Sequence, residues 1–235
     1  MGMRKDGEAI YIVGASRSGK TQYGMIKLFK NIKKYKRIMV WDFNGQWYSA
    51  FERAGVKAEA ISGKANLANR LRGDKDAGVI CYTPSSFSES IKSQFDFFCG
   101  AGFIWCKEAP CMIVIEEISS VVGSGAAVGN WQMIQTQMQK YGGGVIAIIQ
   151  RGQEGDKTTM TQSTETVIFR AGTRDVPYIL QNFDLPEEMM PKEALHYCKI
   201  DNKGRKLLGK IQFNSSQKEG QGSPAAHQLI EKKIK

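Results

Sequence analysis

Near the start of the chain, an apolar run is followed at once by a glycine-rich loop: Ile10-Tyr11-Ile12-Val13, then Gly14-Ala15-Ser16-Arg17-Ser18-Gly19-Lys20-Thr21. The first run has the β-branched composition of a buried strand, and the loop fits the pattern G-x-x-x-x-G-K-[ST] at every fixed position. Beyond the loop, apolar residues recur at the spacing of one helix face, at Met25, Leu28, Phe29 and Ile32. Strand, loop and helix in this order are the context in which the pattern forms a phosphate-binding loop.

The fixed residues of the loop suit the binding of a nucleotide. Gly14 and Gly19 let backbone N–H groups turn inward around a polyphosphate, at a helix N-terminus that carries about half a positive charge. Lys20 would reach the β and γ phosphates, and the Thr21 hydroxyl would take one position on Mg²⁺. The alternative is a glycine-rich turn that binds nothing, and the complete match in the right context favours ATP binding.

Size and composition limit the architecture. With 235 residues, 42% of them hydrophobic, the chain can bury one sizeable core. We therefore expect a single domain over residues 1–215, followed by a basic, flexible tail over residues 216–235, where segment 217–224 is polar and rich in Gly and Ser. No apolar run reaches the length of a membrane span, and no N-terminal signal pattern is present. A soluble protein without a transmembrane segment is expected.

Two further features of the composition concern partners and compartment. The net charge of +10 predicts a polyanionic partner, and Lys27, Lys30 and Lys34 form a basic stripe opposite the apolar face of the first helix. The alternative for this stripe is a solvated helix face with cations near the helix C-terminus. The five cysteines include no C-x-x-C pair, so they indicate neither a disulfide framework nor a zinc site. A reducing, cytoplasmic setting is the simplest expectation.

Acidic and amide side chains follow two later apolar runs. The run 111–115 is continuous, as in a strand buried on both faces of a parallel sheet, and it ends in Glu116-Glu117. Open α/β sheets place ligands at this end of their strands, where one acid can hold Mg²⁺ and the other can polarise the attacking water. The alternative is a pair of helix-capping acids. The run 144–149 ends in Gln150-Arg151, and the amide of Gln150 can contact both a γ-phosphate and water.

The alternation of strands and helices predicts the fold class. It indicates an α/β protein with a mostly parallel sheet, right-handed crossovers and flanking helices, as in P-loop NTPases of the RecA and FtsK–HerA type. A long helix is expected over residues 86–106, interrupted at residues 100–102. A C-terminal β-hairpin is expected from residues 196–200 and 206–213, with its turn at residues 201–204.

Four motifs together resemble those of the FtsK–HerA superfamily of hexameric, DNA-pumping ATPases. They are the loop of residues 14–21, the segment 40–45 that contains Asp42, the run 113–117 that ends in the two acids, and the segment 144–151. Within this superfamily, the chain resembles most the genome-packaging ATPases of tailless icosahedral viruses with an internal membrane. The resemblance extends over about residues 8–213.

The resemblance implies roles for individual residues. Residues Gly14 to Gly19 (including Ala15, Ser16, Arg17 and Ser18) and Asp42 would bind the nucleotide, while Lys20 and Thr21 would contact phosphate and Mg²⁺. Glu116 would hold the metal through water, Glu117 would be the catalytic base, and Gln150 would sense the γ-phosphate. Family members often have Asp before the catalytic Glu, so either acid of this chain can be the base.

One family feature is missing from the sequence. Cellular members often carry an Arg just before the strand that leads to the Gln, and Gln139-Lys140-Tyr141 stands there instead. The arginine finger that reaches the nucleotide of a neighbouring subunit is therefore open among four residues. These are Arg151, Arg170, Arg174 and Lys140.

The activity that the resemblance implies is ATP hydrolysis coupled to packaging of double-stranded DNA into a preformed capsid. A homo-oligomer, a hexameric ring by analogy, would work with capsid vertex proteins in the host cytoplasm or at the packaging vertex of the virion. One alternative is an assembly or export ATPase of the filamentous-phage type, which normally has a membrane span. Another is a P-loop small-molecule kinase, which would require an Arg-rich lid and a substrate pocket.

Overall fold

The computed structural model describes residues 7–73, 78–85, 89–125, 127, 129–213 and 227–233. Its strands are β1 Ala9–Val13, β2 Arg37–Trp41, β3 Glu59–Ile61, β4 Gly78–Tyr82, β5 Cys111–Ile115, β6 Gly144–Ile149, β7 Glu165–Phe169, β8 His196–Asp201, β9 Lys206–Phe213 and β10 His227–Lys233. Its α-helices are α1 Lys20–Asn31, α2 Gln46–Arg53, α3 Lys64–Gly73, α4 Ile91–Glu108, α5 Gly129–Gln137, α6 Lys157–Gln162 and α7 Val176–Asn182.

All ten strands join one sheet in the order β10-β9-β8-β7-β1-β6-β5-β2-β4-β3. Strands β1 to β7 pair in parallel, and β8, β9 and β10 extend the β7 edge in antiparallel fashion. Strands β1, β2, β5 and β6 are buried along their whole length because helices cover both faces of the sheet. The predicted α/β fold with a mostly parallel sheet is confirmed.

The sheet separates two hydrophobic cores. On one face, α1 and α2 place Tyr23, Trp47 and Phe51 against the sheet, and on the other face α4 and α5 contribute Phe98 and Trp131. All five side chains are at most 2% exposed. Burial of aromatic surface on both sides fixes the strand register, and with it the edge at which the motif residues meet.

Helix α4 differs from its prediction. It begins after Ser90, whose hydroxyl accepts the N–H of Ser93 at 3.2 Å, and it continues without a break to Glu108. The predicted interruption at residues 100–102 is wrong because the glycines there serve close packing. A Cβ on Gly102 would lie 2.8 Å from Cδ1 of Ile113, so the helix can approach β5 only without a side chain at this position.

The C-terminal region contains the predicted hairpin and one strand more. Strands β8 and β9 form the hairpin, and β10 pairs with β9 along its length, although the sequence assigned residues 216–235 to a tail. That assignment is wrong for His227–Lys233 because β9 offers an open edge, and the Lys199 ammonium pairs with Glu231 of β10. The rest of the tail, residues 216–226 and 234–235, lies outside the described residues.

The structure contains one disulfide bond within the described residues. The cysteine pattern indicates no disulfide framework, but Cys106 near the end of α4 is bonded to Cys111 at the start of β5. The two cysteines are five positions apart in the sequence, and the cysteine spacings that mark a disulfide framework do not identify such a local pair.

Within the part of the chain that the structure describes, no helix combines the length and apolar character needed to cross a bilayer.

Candidate nucleotide-binding site

The glycine-rich loop links the end of β1 to the start of α1, in the strand–loop–helix arrangement predicted from the sequence. Gly14 has φ +155°, and a Cβ there would lie 2.6 Å from Cβ of Phe169. Gly19 has φ +112° and immediately precedes α1. The Ala15 N–H donates to the carbonyl of Arg170 at 2.7 Å, which ties the loop to the end of β7. The two glycines are thus required by close approach and by positive φ.

The C-terminal hairpin supports this loop from the other side. The N–H of Leu195, just before β8, donates to the carbonyl of Ser18 at 2.8 Å. The Leu195 side chain packs on Gly19, where a Cβ would meet it at 3.0 Å. Sequence analysis missed Leu195, because only the adjacency of β8 and β7 in the sheet brings it to the loop. No local motif marks this residue.

Lys20 is buried at the centre of the loop, with 6% of its surface exposed. Its Nζ donates to the carbonyl of Ala15 at 2.8 Å, so the ammonium lies inside the loop that is expected to hold phosphate. Burial lowers the pKa of Lys20 to about 8, and the negative charges of Glu117 and Glu116 oppose that shift. A polyanion bound in this loop would place negative charge beside the buried ammonium and so stabilise its charged form.

Glu116 follows β5 and is 5% exposed. The Thr21 hydroxyl donates to its Oε1 at 3.4 Å, whereas its Oε2 is buried without a hydrogen-bond partner in the part of the chain that the structure describes. Burial, followed by the nearby charge of Asp42, raises the pKa of Glu116 to about 7. Mg²⁺ prefers carboxylate, hydroxyl and water oxygens. The unpartnered Oε2 beside a hydroxyl therefore fits a magnesium ion held by Thr21 and Glu116, directly or through water.

Asp42 lies behind the cleft. It follows β2 next to Glu116, and its two oxygens accept the backbone N–H groups of Trp47 at 3.3 Å and Tyr48 at 2.9 Å. Burial raises the pKa of Asp42, and these hydrogen bonds at the start of α2 act against that shift. The carboxylate thus shapes the turn into α2, and neighbouring Asn44 and Gln46 line the cleft.

Most of the predicted site residues line one cleft of about 480 Å³. The loop forms one wall, and the half-buried Glu117 and the exposed Gln150 stand at the ends of β5 and β6. The register explains this meeting, because Trp41 pairs with Ile115 and Val13 pairs with Ile149 across parallel strands that end at one edge. The lining residues are Ser16, Arg17, Ser18, Gly19, Lys20, Thr21, Gln22, Asn44, Gln46, Glu116, Glu117, Ile148, Gln150 and Leu195.

None of the four candidate finger residues lines this cleft, and two of them line neither this cleft nor the one beside it. The Arg170 side chain is exposed after β7, and it makes no ion pair within the described residues. The Glu165 carboxylate, at the start of β7, accepts from Lys27 at 3.0 Å and from the Tyr23 hydroxyl at 2.8 Å, and it is not paired with Arg170. Lys140 donates to Gln137 at 2.8 Å, on the surface beyond α5.

The other two candidates border a second cleft of about 680 Å³, which shares Ser16 and Gln150 with the first. Arg151 is held by Glu154 at 3.3 Å. Arg174 lines the same cleft, and its carbonyl accepts the side-chain amide of Gln153 at 3.1 Å. Both arginines therefore lie beside the first cleft.

The basic stripe on α1 is partly neutralised. Lys27 is paired with Glu165 at 3.0 Å and Lys34 with Glu8 at 3.2 Å, and Lys30 is exposed. Two of the three cations thus have acidic partners on the protein itself. This arrangement favours the solvated-face alternative over a dedicated polyanion-binding stripe at this helix.

Comparisons with known proteins agree with the fold and with the cleft. No family model matches the chain. Protein P9 of Pseudoalteromonas phage PM2 is 26% identical over 153 residues, which span 64% of this chain and 63% of P9, less than two thirds of that protein. The genome-packaging NTPase B204 of Sulfolobus turreted icosahedral virus 2, solved with AMPPCP, superimposes with a TM-score of 0.64 at 15% identity, covering 88% of this chain and 98% of B204.

A second structural neighbour comes from outside the viruses. VirB4 of Thermoanaerobacter pseudethanolicus superimposes with a TM-score of 0.61 at 9% identity, covering 96% of this chain and 89% of VirB4. The chain has the P-loop NTPase fold. Its structural neighbours are viral genome-packaging and FtsK–HerA-type ATPases, and the likeness that the sequence motifs indicated is confirmed at the level of the fold.

Proposed function

We propose that the protein is an ATPase that uses hydrolysis to move double-stranded DNA, and that it packages a viral genome into a preformed capsid. The observation that carries this proposal is the meeting of Lys20, Thr21, Glu116, Glu117 and Gln150 in one cleft at the carboxyl edge of the sheet. The fold shared with a viral genome-packaging NTPase supports the packaging part.

Each of these five residues has a role in the proposed hydrolysis. Lys20 and the loop N–H groups bind and neutralise the phosphates, which is the main task in phosphoryl transfer. Thr21 and Glu116 would hold Mg²⁺, and the ion would supply positive charge against the phosphates. Glu117 accepts a proton from the attacking water, and Gln150 orients that water against the γ-phosphate. Glu116 is the better metal ligand because it touches Thr21, whereas Glu117 faces the open cleft.

The proposal includes a ring of identical subunits, hexameric by analogy, in which one subunit completes the site of the next. Arg170 is the first choice for the finger because it is exposed, makes no ion pair within the described residues, and extends from the carboxyl edge of the sheet. Capsid vertex proteins would hold the ring at the virion packaging vertex, after assembly in the host cytoplasm. DNA would be bound through phosphates by the cations of a chain with net charge +10.

The two acids provide the test of the ATPase assignment. Glu117→Gln should bind ATP without cleaving it, because the amide keeps the shape and loses the base. Glu116→Gln should lose the dependence of nucleotide binding on Mg²⁺. Both are measured by retention of radiolabelled ATP and by phosphate release. If Glu116→Gln alone retained uncleaved ATP, the two roles would be exchanged, and full turnover in both variants would refute the site.

DNA binding is tested separately by its salt dependence. Contacts between cations and phosphates release counterions, so affinity for duplexes of unrelated sequence should fall equally and steeply from about 50 to 200 mM salt. Fluorescence anisotropy with two labelled duplexes measures this. Affinity that is insensitive to salt, or restricted to one sequence, would contradict binding through the DNA backbone.

A further inference from the structure

The turn after β5 holds Glu117 in an unusual backbone conformation. Glu117 has φ 53° and ψ 56°, in the left-handed region that a side chain with Cβ seldom adopts. Such a conformation is unfavourable for a residue with a Cβ and persists only where the surrounding structure fixes it. Contacts around the proposed base must therefore fix this residue.

A short 3₁₀ turn, Ile118–Ser120, follows Glu117 directly. Ile118 is 1% exposed and packs in the core, and its carbonyl accepts the N–H groups of Val121 at 3.1 Å and Val122 at 3.0 Å. The turn is therefore anchored to the protein interior. The half-buried Ser119 stands on this anchored turn, and its hydroxyl donates to Oε1 of Glu117 at 2.8 Å.

We infer that Ser119 is a positioning residue that holds the Glu117 carboxylate in its catalytic orientation. The inference rests on the proposed function, since it concerns the base of that reaction. The hydroxyl occupies Oε1, which leaves Oε2 to accept the proton of the attacking water. Without that contact, the carboxylate rotates about its side-chain torsions, and displacement of a base by about 1 Å can reduce a rate a hundredfold.

Ser119→Ala is the first test. It should lower kcat for ATP hydrolysis about ten- to a hundredfold, the range seen when the partner of a functional side chain is removed. KM for ATP and the binding of a fluorescent ATP analogue should stay unchanged, because Ser119 does not line the cleft. Ser119→Thr keeps the hydroxyl and should recover most of the rate.

The adjacent serine is a matched control. Ser120 is exposed, and its hydroxyl donates to the carbonyl oxygen of Glu117 at 2.8 Å rather than to the carboxylate. Ser120→Ala removes a hydrogen bond from the same turn, and kcat should stay within about twofold of wild type, as for most surface substitutions. Equal losses in the alanine variants of Ser119 and Ser120 would mean that the turn as a whole matters, and would overturn the inference.

A double mutant separates positioning from a general structural effect. Ser119→Ala added to Glu117→Gln should leave the slow residual phosphate release of the Glu117→Gln variant unchanged in single-turnover measurements, because both changes act on one group. An additional loss equal to that of the single variant would assign Ser119 a separate role. Wild-type kcat in Ser119→Ala, with Glu117→Gln inactive, would overturn this inference alone, whereas an active Glu117→Gln would refute the proposed base itself.

Discussion

Replacement of Glu116 by Gln should make the nucleotide-free protein more stable at neutral pH while it removes magnesium-dependent binding. Glu116 is 5% exposed, its Oε2 has no hydrogen-bond partner among the described residues, and burial, followed by the charge of Asp42, raises its pKa from 4.5 to about 7. Between pH 4.5 and about pH 7, Glu116 keeps a proton in the folded chain that it has released in the unfolded chain. Stability therefore falls as pH rises through this window.

The size of the effect follows from the same two values. A pKa raised from 4.5 to about 7 corresponds to about 3 kcal/mol lost by the time the group is fully ionised in the folded state. Gln stays neutral and avoids this loss, so Glu116→Gln should raise the melting temperature by about 6 to 12 °C at pH 7.5 and by little at pH 5. The lowered pKa of Lys20, about 8, places its titration above this range.

Urea and thermal unfolding in EDTA, from pH 5 to 7.5, measure the difference between wild type and Glu116→Gln. Glu117→Gln is the matched control, because it changes the neighbouring half-buried acid and leaves the buried Glu116 in place, so the fall in stability with rising pH should persist in this variant. The reasoning would be refuted if wild type and Glu116→Gln were equally stable at pH 7.5 and had parallel pH slopes. Ionisation of the buried Glu116 would then cost the metal-free protein no stability.

Three further predictions concern the site and the packing that supports it. Lys20→Ala should abolish nucleotide binding, measured by isothermal titration, because the loop would keep only its backbone N–H groups; unchanged affinity would argue against the whole site. Mixing Arg170→Ala subunits with Lys20→Ala subunits should restore part of the ATPase rate at mixed interfaces, and a co-assembled but inactive mixture would move the finger to another cation. Gly102→Ala should destabilise the fold by about 1 to 3 kcal/mol through overpacking against Ile113, while Gly100→Ala, which meets only the Asn130 side chain, should cost less in urea unfolding.

The meeting of the motif residues in one cleft is predictable from the sequence because each part is a local pattern. The loop of residues 14–21 follows a strand, and the acids and Gln150 each follow a continuous apolar run, so parallel pairing alone brings them to one edge. The sequence also indicates two acids with different roles. What it could not supply is the difference between them, since only the fold shows that Glu116 is buried beside Thr21 and that Glu117 faces the cleft.

The elements that sequence reasoning missed depend on contacts between distant segments. Glycines in α4 suggest a break by composition, and only the proximity of β5 shows that they serve packing. Strand β10 carries too weak an alternation to be separated from a tail, and it is specified by the open edge of β9. Leu195 reaches the loop across the sheet, so no nearby residue signals its contact with Ser18.

The rate of ATP hydrolysis with and without long duplex DNA, over protein concentrations that span self-association, tests the central claim most directly. A DNA-moving ring with sites shared between subunits predicts a specific activity that rises with protein concentration and rises further with duplex DNA. Glu117→Gln should bind the same DNA without hydrolysis. A specific activity that is independent of both concentration and DNA, or phosphate transferred to a small molecule instead of water, would contradict the account.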